Sequence, residues 1–254
     1  MPTMRLIPLL FGVILSSVHT WGASAAAAST AAVALKDYTG VASGLFNNMR
    51  TPAALVGGAV VPMGITSAPK IEETDSPKMK VMKRVSFILG VGSLMSQIVA
   101  ITYSTVAINK LAELKYEPTE DVNELIASHY KLEWLGTNIH FLFGLFGFGI
   151  LAIFKSYFKY GSRVGNVNAC WSSAAMLFCI SIVNQGIAQG GGEQGIHYGS
   201  NIFGITVNYL GLVLKYARGG VTPAISVGVV LFSIVPLMKL FSAEEEDGEK
   251  AKVE

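Results

Sequence analysis

The sequence predicts an all-α protein, a polytopic transmembrane helix bundle with five long spans and one shorter apolar run. Three observations carry that expectation. Of the 254 residues, 51% are hydrophobic and only 14% are charged, whereas a soluble domain carries about 25% charged residues. The mean hydropathy is +0.49, and the apolar residues come in blocks. Five blocks reach the ~20 residues a helix needs to cross a bilayer: 84–109, 134–158, 168–188, 199–217 and 222–241. Strand alternation is absent, and a chain without barrel strands can cross lipid only as helices.

The elements follow in order. Residues 1–28 place one Arg before an apolar stretch and then small residues of the A-x-A kind. That is the layout of a cleavable signal peptide. Residues 29–50 are rich in Ala, Ser and Thr with one acid, Asp37, and read as a transit-type or flexible segment. Residues 51–69 predict a short hydrophobic helix, with Thr51 as N-cap and Pro52 in its first turn. Its apolar run, 52–65, is short for a crossing, so a re-entrant placement is favoured over a sixth span. Residues 70–83 form a basic linker. In the bundle, 84–241, the segment 110–133 mixes Leu111, Leu114, Leu125 and Ile126 with charges, which predicts a helix lying on the outer membrane surface. Gly219 and Gly220 are expected to close the fourth span in left-handed geometry, with Thr222 capping the fifth and Pro223 following. An acidic tail, 242–254, ends the chain.

The stretch FNNMRTPAAL, 46–55, resembles a motif in uncharacterised multi-span plastid (thylakoid-type) membrane proteins of diatoms and related algae. The resemblance covers ten residues and implies no activity. It implies a plastid membrane, with a secretory-pathway membrane as the alternative.

Charge sets the orientation, because Lys and Arg collect on the inner side of short loops. Lys78, Lys80, Lys83 and Arg84 precede the first span; Lys155, Lys159 and Arg163 lie at the second connection, and Lys215 and Arg218 at the fourth. The connection between the first and second spans carries Glu113, Glu117, Glu120, Asp121, Glu124 and Glu133. Basic loops are therefore inside and acidic loops outside.

Small residues predict where helices approach closely. They are Gly90, Gly92, Ser93 and Ser96 in the first span, Gly136, Gly144, Gly147 and Gly149 in the second, and Gly204, Asn208 and Gly211 in the fourth. The phenylalanines between the second span's glycines also admit a cofactor groove. Cys170 and Cys179 lie nine positions apart on one helix, about 13 Å, too far to pair.

The loop NQGIAQGGGEQGIHYGSN, 184–201, contains Gly190, Gly192 and Gly195 in G-x-G-x-x-G spacing. No strand precedes it, so the dinucleotide reading is rejected. The topology instead gathers Asn138, His140, Asn184, Gln185 and His197 at the outer face. Two readings stand: an ordinary wet loop with His140 hydrogen-bonded to a neighbouring helix, or a site where histidine ligates a haem iron or a chlorophyll magnesium. The spans lack Asp and Glu, which argues against a proton-coupled pump. No Ser-His-Asp order, H-E-x-x-H or histidine-rich box points to an enzyme. The expected function is a non-enzymatic structural or assembly subunit of a membrane complex, binding pigment, haem or lipid at its outer face. A small-solute transporter or channel comes next, and a haem- or quinone-linked redox protein third. Expected partners are the lipid bilayer and other subunits, not nucleic acid.

Overall fold

The computed structural model describes residues 35–190 and 201–250, within one compact unit, Leu35–Glu254. Every regular element among the described residues is a helix, and the one extended pairing is a bridge between Lys36 and Thr119. Two helical stretches, Pro77–Glu113 and Lys131–Ile187, are long and apolar enough to cross a membrane.

The first helix, α1 (Thr39–Val60), begins well before the predicted cap at Thr51 and carries Pro52 in its interior. Asp37 starts it, accepting from the Thr39 backbone N–H at 2.9 Å and its hydroxyl at 2.7 Å. Those two bonds, the backbone one first, hold the Asp37 carboxyl below the usual carboxylate range. Ala42 and Phe46 then bury against Leu125, Ile126 and Tyr130. This tertiary packing makes helix of a stretch whose composition reads as a flexible segment. The helix continues through a six-residue π-turn, Val61–Thr66. Pro62 there lacks the N–H of a regular helical bond, and the Ser67 N–H reaches the Pro62 carbonyl at 3.2 Å.

Helix α2 (Pro77–Glu113) is capped by Ser76, whose side chain accepts from the Met79 N–H, so the predicted linker is already helical from Pro77. Its buried residues are Ser86, Gly90, Ser93, Gln97, Ala100, Ser104, Ala107 and Leu111. They alternate in steps of four and three, one stripe along the whole helix. Helix α1 runs antiparallel along that stripe. Phe46 clusters with Ala107 and Leu111, Gly57 meets Gln97, and Gly64 meets Gly90. Helix and π-turn together make a rod of about 40 Å, so the short helix expected at 51–69 is the later part of a longer one that starts at Thr39.

The predicted surface helix at 110–133 also differs. Only α3 (Val122–His129) is helical there once α2 has ended. Asp121 accepts from Glu124 N–H at 2.7 Å while Glu124 accepts from Glu120 N–H at 2.9 Å, a reciprocal cap. Leu125 and Ile126 are 1% exposed, so the apolar side of α3 closes over the bundle instead of lying in lipid headgroups.

The stretch Lys131–Gly190 is two helices broken at Gly161, where φ is 77° and ψ −176°, a conformation essentially reserved for glycine. We number them α4 (131–160) and α5 (162–190). They fold back on each other. The Asn168 amide donates to the Ala152 carbonyl and the Ser156 hydroxyl at 3.1 and 3.0 Å, and Gly149 meets Met176. The turn falls where the basic loop was expected. Cys170 and Cys179 are free thiols, with Cys170 exposed and so not a core residue.

Helix α6 (Ile202–Gly219) presents Ile205 and Tyr209 to the bundle. On the face expected to pack, Gly204 is half-buried and Asn208 is exposed, and a Cβ added at Gly211 would meet nothing within 4 Å. Helix α7 (Val221–Lys250) follows directly, with Gly220 extended at φ −156°. Gly161 holds the one positive φ among the described residues, so the left-handed closure expected at Gly219 and Gly220 does not form. Thr222 lies inside the first turn instead of capping it.

The bundle therefore has two unlike ends. Lys36–Tyr38, α3 and Glu133 lie at an acidic end. The 67–84 stretch and the α4–α5 turn lie at a basic end, where Lys70, Lys78, Lys80, Lys83, Arg84, Lys155, Lys159 and Arg163 outnumber Glu72, Glu73 and Asp75. The two are tied together where the Lys155 ammonium donates to the Ser67 carbonyl.

Candidate functional site

The seam between α2 and α4 is built from glycines on one helix and polar side chains on the other. A Cβ on Gly136 would sit 2.5 Å from the Tyr103 ring, and one on Gly147 would lie 3.0 Å from Ser93 Cβ; Gly144 lies under the Gln97 amide. The phenylalanine-walled groove with a glycine floor is thus not open: α2 side chains fill it. Ser93 donates to the Gly144 carbonyl at 2.5 Å and Gln97 to the Phe141 carbonyl at 3.2 Å. Ser104 and Thr137 join at 3.3 Å.

Near the acidic end the seam opens into a junction of three helices. His140 lies one turn from Gly136 and from Gly144, so it shares their close-packed face. Its Nε2 is 2.8 Å from the Tyr209 hydroxyl, and that hydroxyl is 3.5 Å from the Tyr103 hydroxyl. The His140 and Tyr209 rings meet edge-on at 5.4 Å between centroids, and Tyr103 meets Tyr209 at 6.5 Å. Leu135, Ile139 and Ile205 pack around Tyr209. The His140 Nδ1 is buried without a hydrogen-bond partner. Tyr209 can donate to Nε2 or accept from it, since a neutral imidazole offers one donor and one acceptor.

The other predicted site residues go elsewhere. Asn138 donates to the Trp134 carbonyl of its own helix at 2.8 Å. Asn184 accepts from the Ile202 N–H at 2.9 Å, tying the end of α5 to the first turn of α6. Gln185 is exposed. His197, like the glycine-rich loop around it, lies outside the described residues. His140 does face the bundle, but a phenol and not an amide meets it.

Ligation of a macrocyclic metal through His140 Nε2 would require the Tyr209 bond to be surrendered and a tyrosine ring to leave. The junction as built does not fit a haem or a chlorophyll. Among the described residues no three His, Cys, Asp or Glu side chains gather in a metal-binding group. Tyr103 and Tyr209 were the residues missed from the sequence. The available signal was a phenol inside an apolar span, which needs a partner when buried.

Above the junction, the acidic end is closed by aromatics. Phe46 meets Trp134 edge-on at 5.4 Å and Tyr130 at 6.1 Å, and the Tyr116 and Tyr130 hydroxyls bond to each other. Burial, and then that bond, push the Tyr130 phenol well above its usual range. Lys110 pairs with Glu133 at 3.1 Å.

No family model, curated protein or solved structure matches this chain.

Proposed function

We propose that the chain is an integral membrane subunit that crosses the bilayer six times, through α1, α2, α4, α5, α6 and α7, and serves to hold a larger membrane assembly together. The observation that carries this reading is the one-sided packing of the bundle. Helices α1, α2 and α4 pack at glycine and serine, whereas α7 leaves Val221, Val229, Phe232 and Met238 between 63% and 77% exposed. Soluble proteins rarely leave an apolar face of that extent uncovered. A bilayer with partner helices accounts for it, and in lipid such association rests on packing and a few hydrogen bonds. The basic and acidic ends agree with an inner and an outer side. The proposed location is a plastid membrane, on the resemblance of FNNMRTPAAL alone.

Native electrophoresis of membranes extracted in a mild detergent tests the reading. The 27.0 kDa chain should run within a complex several times its mass. Extraction by alkaline carbonate, or migration as a lone chain across a range of detergents, would contradict it.

A further inference from the structure

At the basic end, between the π-turn of α1 and the last turns of α4, lies an open groove of about 480 Å³. Met63, Pro69, Ala152 and Phe158 make its apolar part, and Lys155 and Lys159 stand on its wall; no acid is among its lining residues. We infer that this groove holds an anionic phospholipid, its phosphate against the two lysines and the start of an acyl chain against the apolar floor. The inference rests on the membrane reading and goes beyond it by assigning a ligand and a site.

Three features of the groove support that occupant. The first is charge. Lys155 spends one N–H on the Ser67 carbonyl, a neutral acceptor that leaves its charge uncompensated. Lys159 lies over the Tyr160 ring at 5.3 Å from its centroid. Of the acids on the neighbouring linker, Asp75 is held by Lys83 at 2.5 Å and accepts from the Glu72 N–H at 2.7 Å, while Glu72 and Glu73 are exposed and do not line the groove. The second is rigidity. Lys83 also donates to the Lys70 carbonyl at 2.8 Å, so both Ser67 and Lys70 are pinned and the Pro69 rim is set before any ligand arrives, which lowers the cost of ordering it. The third is the π-turn, a local widening that recurs at functional sites; here it presents Met63 to the groove. Basic pockets between helices at the inner side are suited to anionic headgroups. A water-soluble anion would gain nothing from the apolar floor.

The test uses the full chain in nanodiscs of phosphatidylcholine with a minor share of phosphatidylglycerol, read by native mass spectrometry of retained lipid. Phosphatidylglycerol should be retained in preference to phosphatidylcholine. Lys159→Gln should weaken that preference about fivefold, the effect of one interfacial charge. Ala152→Phe should remove it with both lysines in place, by filling the floor. Lys155 is left unaltered because it also holds Ser67. Equal retention of the two lipids, or an unchanged preference in both variants, overturns the inference. So does displacement of the lipid by excess inorganic phosphate, which would mark a site for a free anion. A chain that enters nanodiscs without a lipid preference defeats this inference alone; one that fails to enter defeats the membrane reading as well.

Discussion

The two halves of the bundle are built on opposite rules. On one side, α2 lies between α1 and α4, with backbone almost touching backbone: a Cβ on Gly90 would lie 3.0 Å from the Gly64 Cα. On the other, α5, α6 and α7 carry large apolar residues turned outward, with Trp171 and Phe232 each 76% exposed and Phe203 75%. If the bundle lies in a bilayer as proposed, small side chains are no weaker as glue than large ones, because lipid tails solvate a leucine about as well as another helix does. What lipid does not supply is close backbone approach and a hydrogen bond for a buried hydroxyl. In the proposed bilayer the first half uses both along its seams, while its outer residues, among them Leu55 and Phe143, face outward like the large residues of the second half.

The sharpest way to break this comparison uses two glycines of one helix. Gly90→Leu should cost about 3 kcal/mol, as overpacking against unyielding backbone does, when unfolding is followed in mixed micelles. Gly92→Leu, with nothing within 4 Å of its added Cβ, should change stability by less than about 0.5 kcal/mol. Equal effects would mean that the seam is not where the stability lies.

The next effect sits at the junction. Tyr209→Phe leaves His140 buried with neither nitrogen partnered, which should cost about 1–3 kcal/mol. His140→Leu combined with Tyr209→Phe should recover part of that loss, giving a measurable coupling in a double-mutant cycle. Asn184→Ala removes the acceptor of the Ile202 N–H and should cost about 1 kcal/mol, like loss of an N-cap.

The smallest effects belong to the linker and to α7. The Lys83 bond, and then the Glu72 N–H, hold the Asp75 carboxyl below its ordinary value of 3.8. A depressed carboxylate stabilises the fold above its unfolded value and loses that contribution as pH falls through the folded one. Hydrogen exchange of residues 67–76 should therefore quicken only below about pH 3.8. Phe232→Ala should leave the isolated chain unchanged within about 0.5 kcal/mol. It should nonetheless reduce the mass of the native assembly.

Much of this architecture could be read from blocks and glycines. The α4–α5 turn fell inside the expected basic loop, and Gly136, Gly144, Gly147 and Gly149 all meet a neighbouring side chain. The N-terminal helix could not be read, because Asn47, Asn48 and Arg50 dilute its hydropathy and its stability comes from Phe46 and Gly57 meeting residues far along the chain. On α6, spacing alone pointed to Gly204, Asn208 and Gly211, whereas the buried residues are Ile205 and Tyr209. At the site, the inward direction of His140 followed from its register with Gly136 and Gly144. Its partner did not, since register along one helix says nothing about which residue a third helix brings.

The central claim is that α1 crosses the membrane in full, antiparallel to α2. Side-specific labelling of single cysteines in sealed vesicles tests it most directly, in a chain carrying Cys170→Ala and Cys179→Ala. Asp37→Cys and Glu117→Cys should react from one side, and Glu73→Cys and Lys159→Cys only from the other. Reaction of Asp37→Cys and Glu73→Cys from the same side would contradict the account, since α1 would then enter and leave by one face.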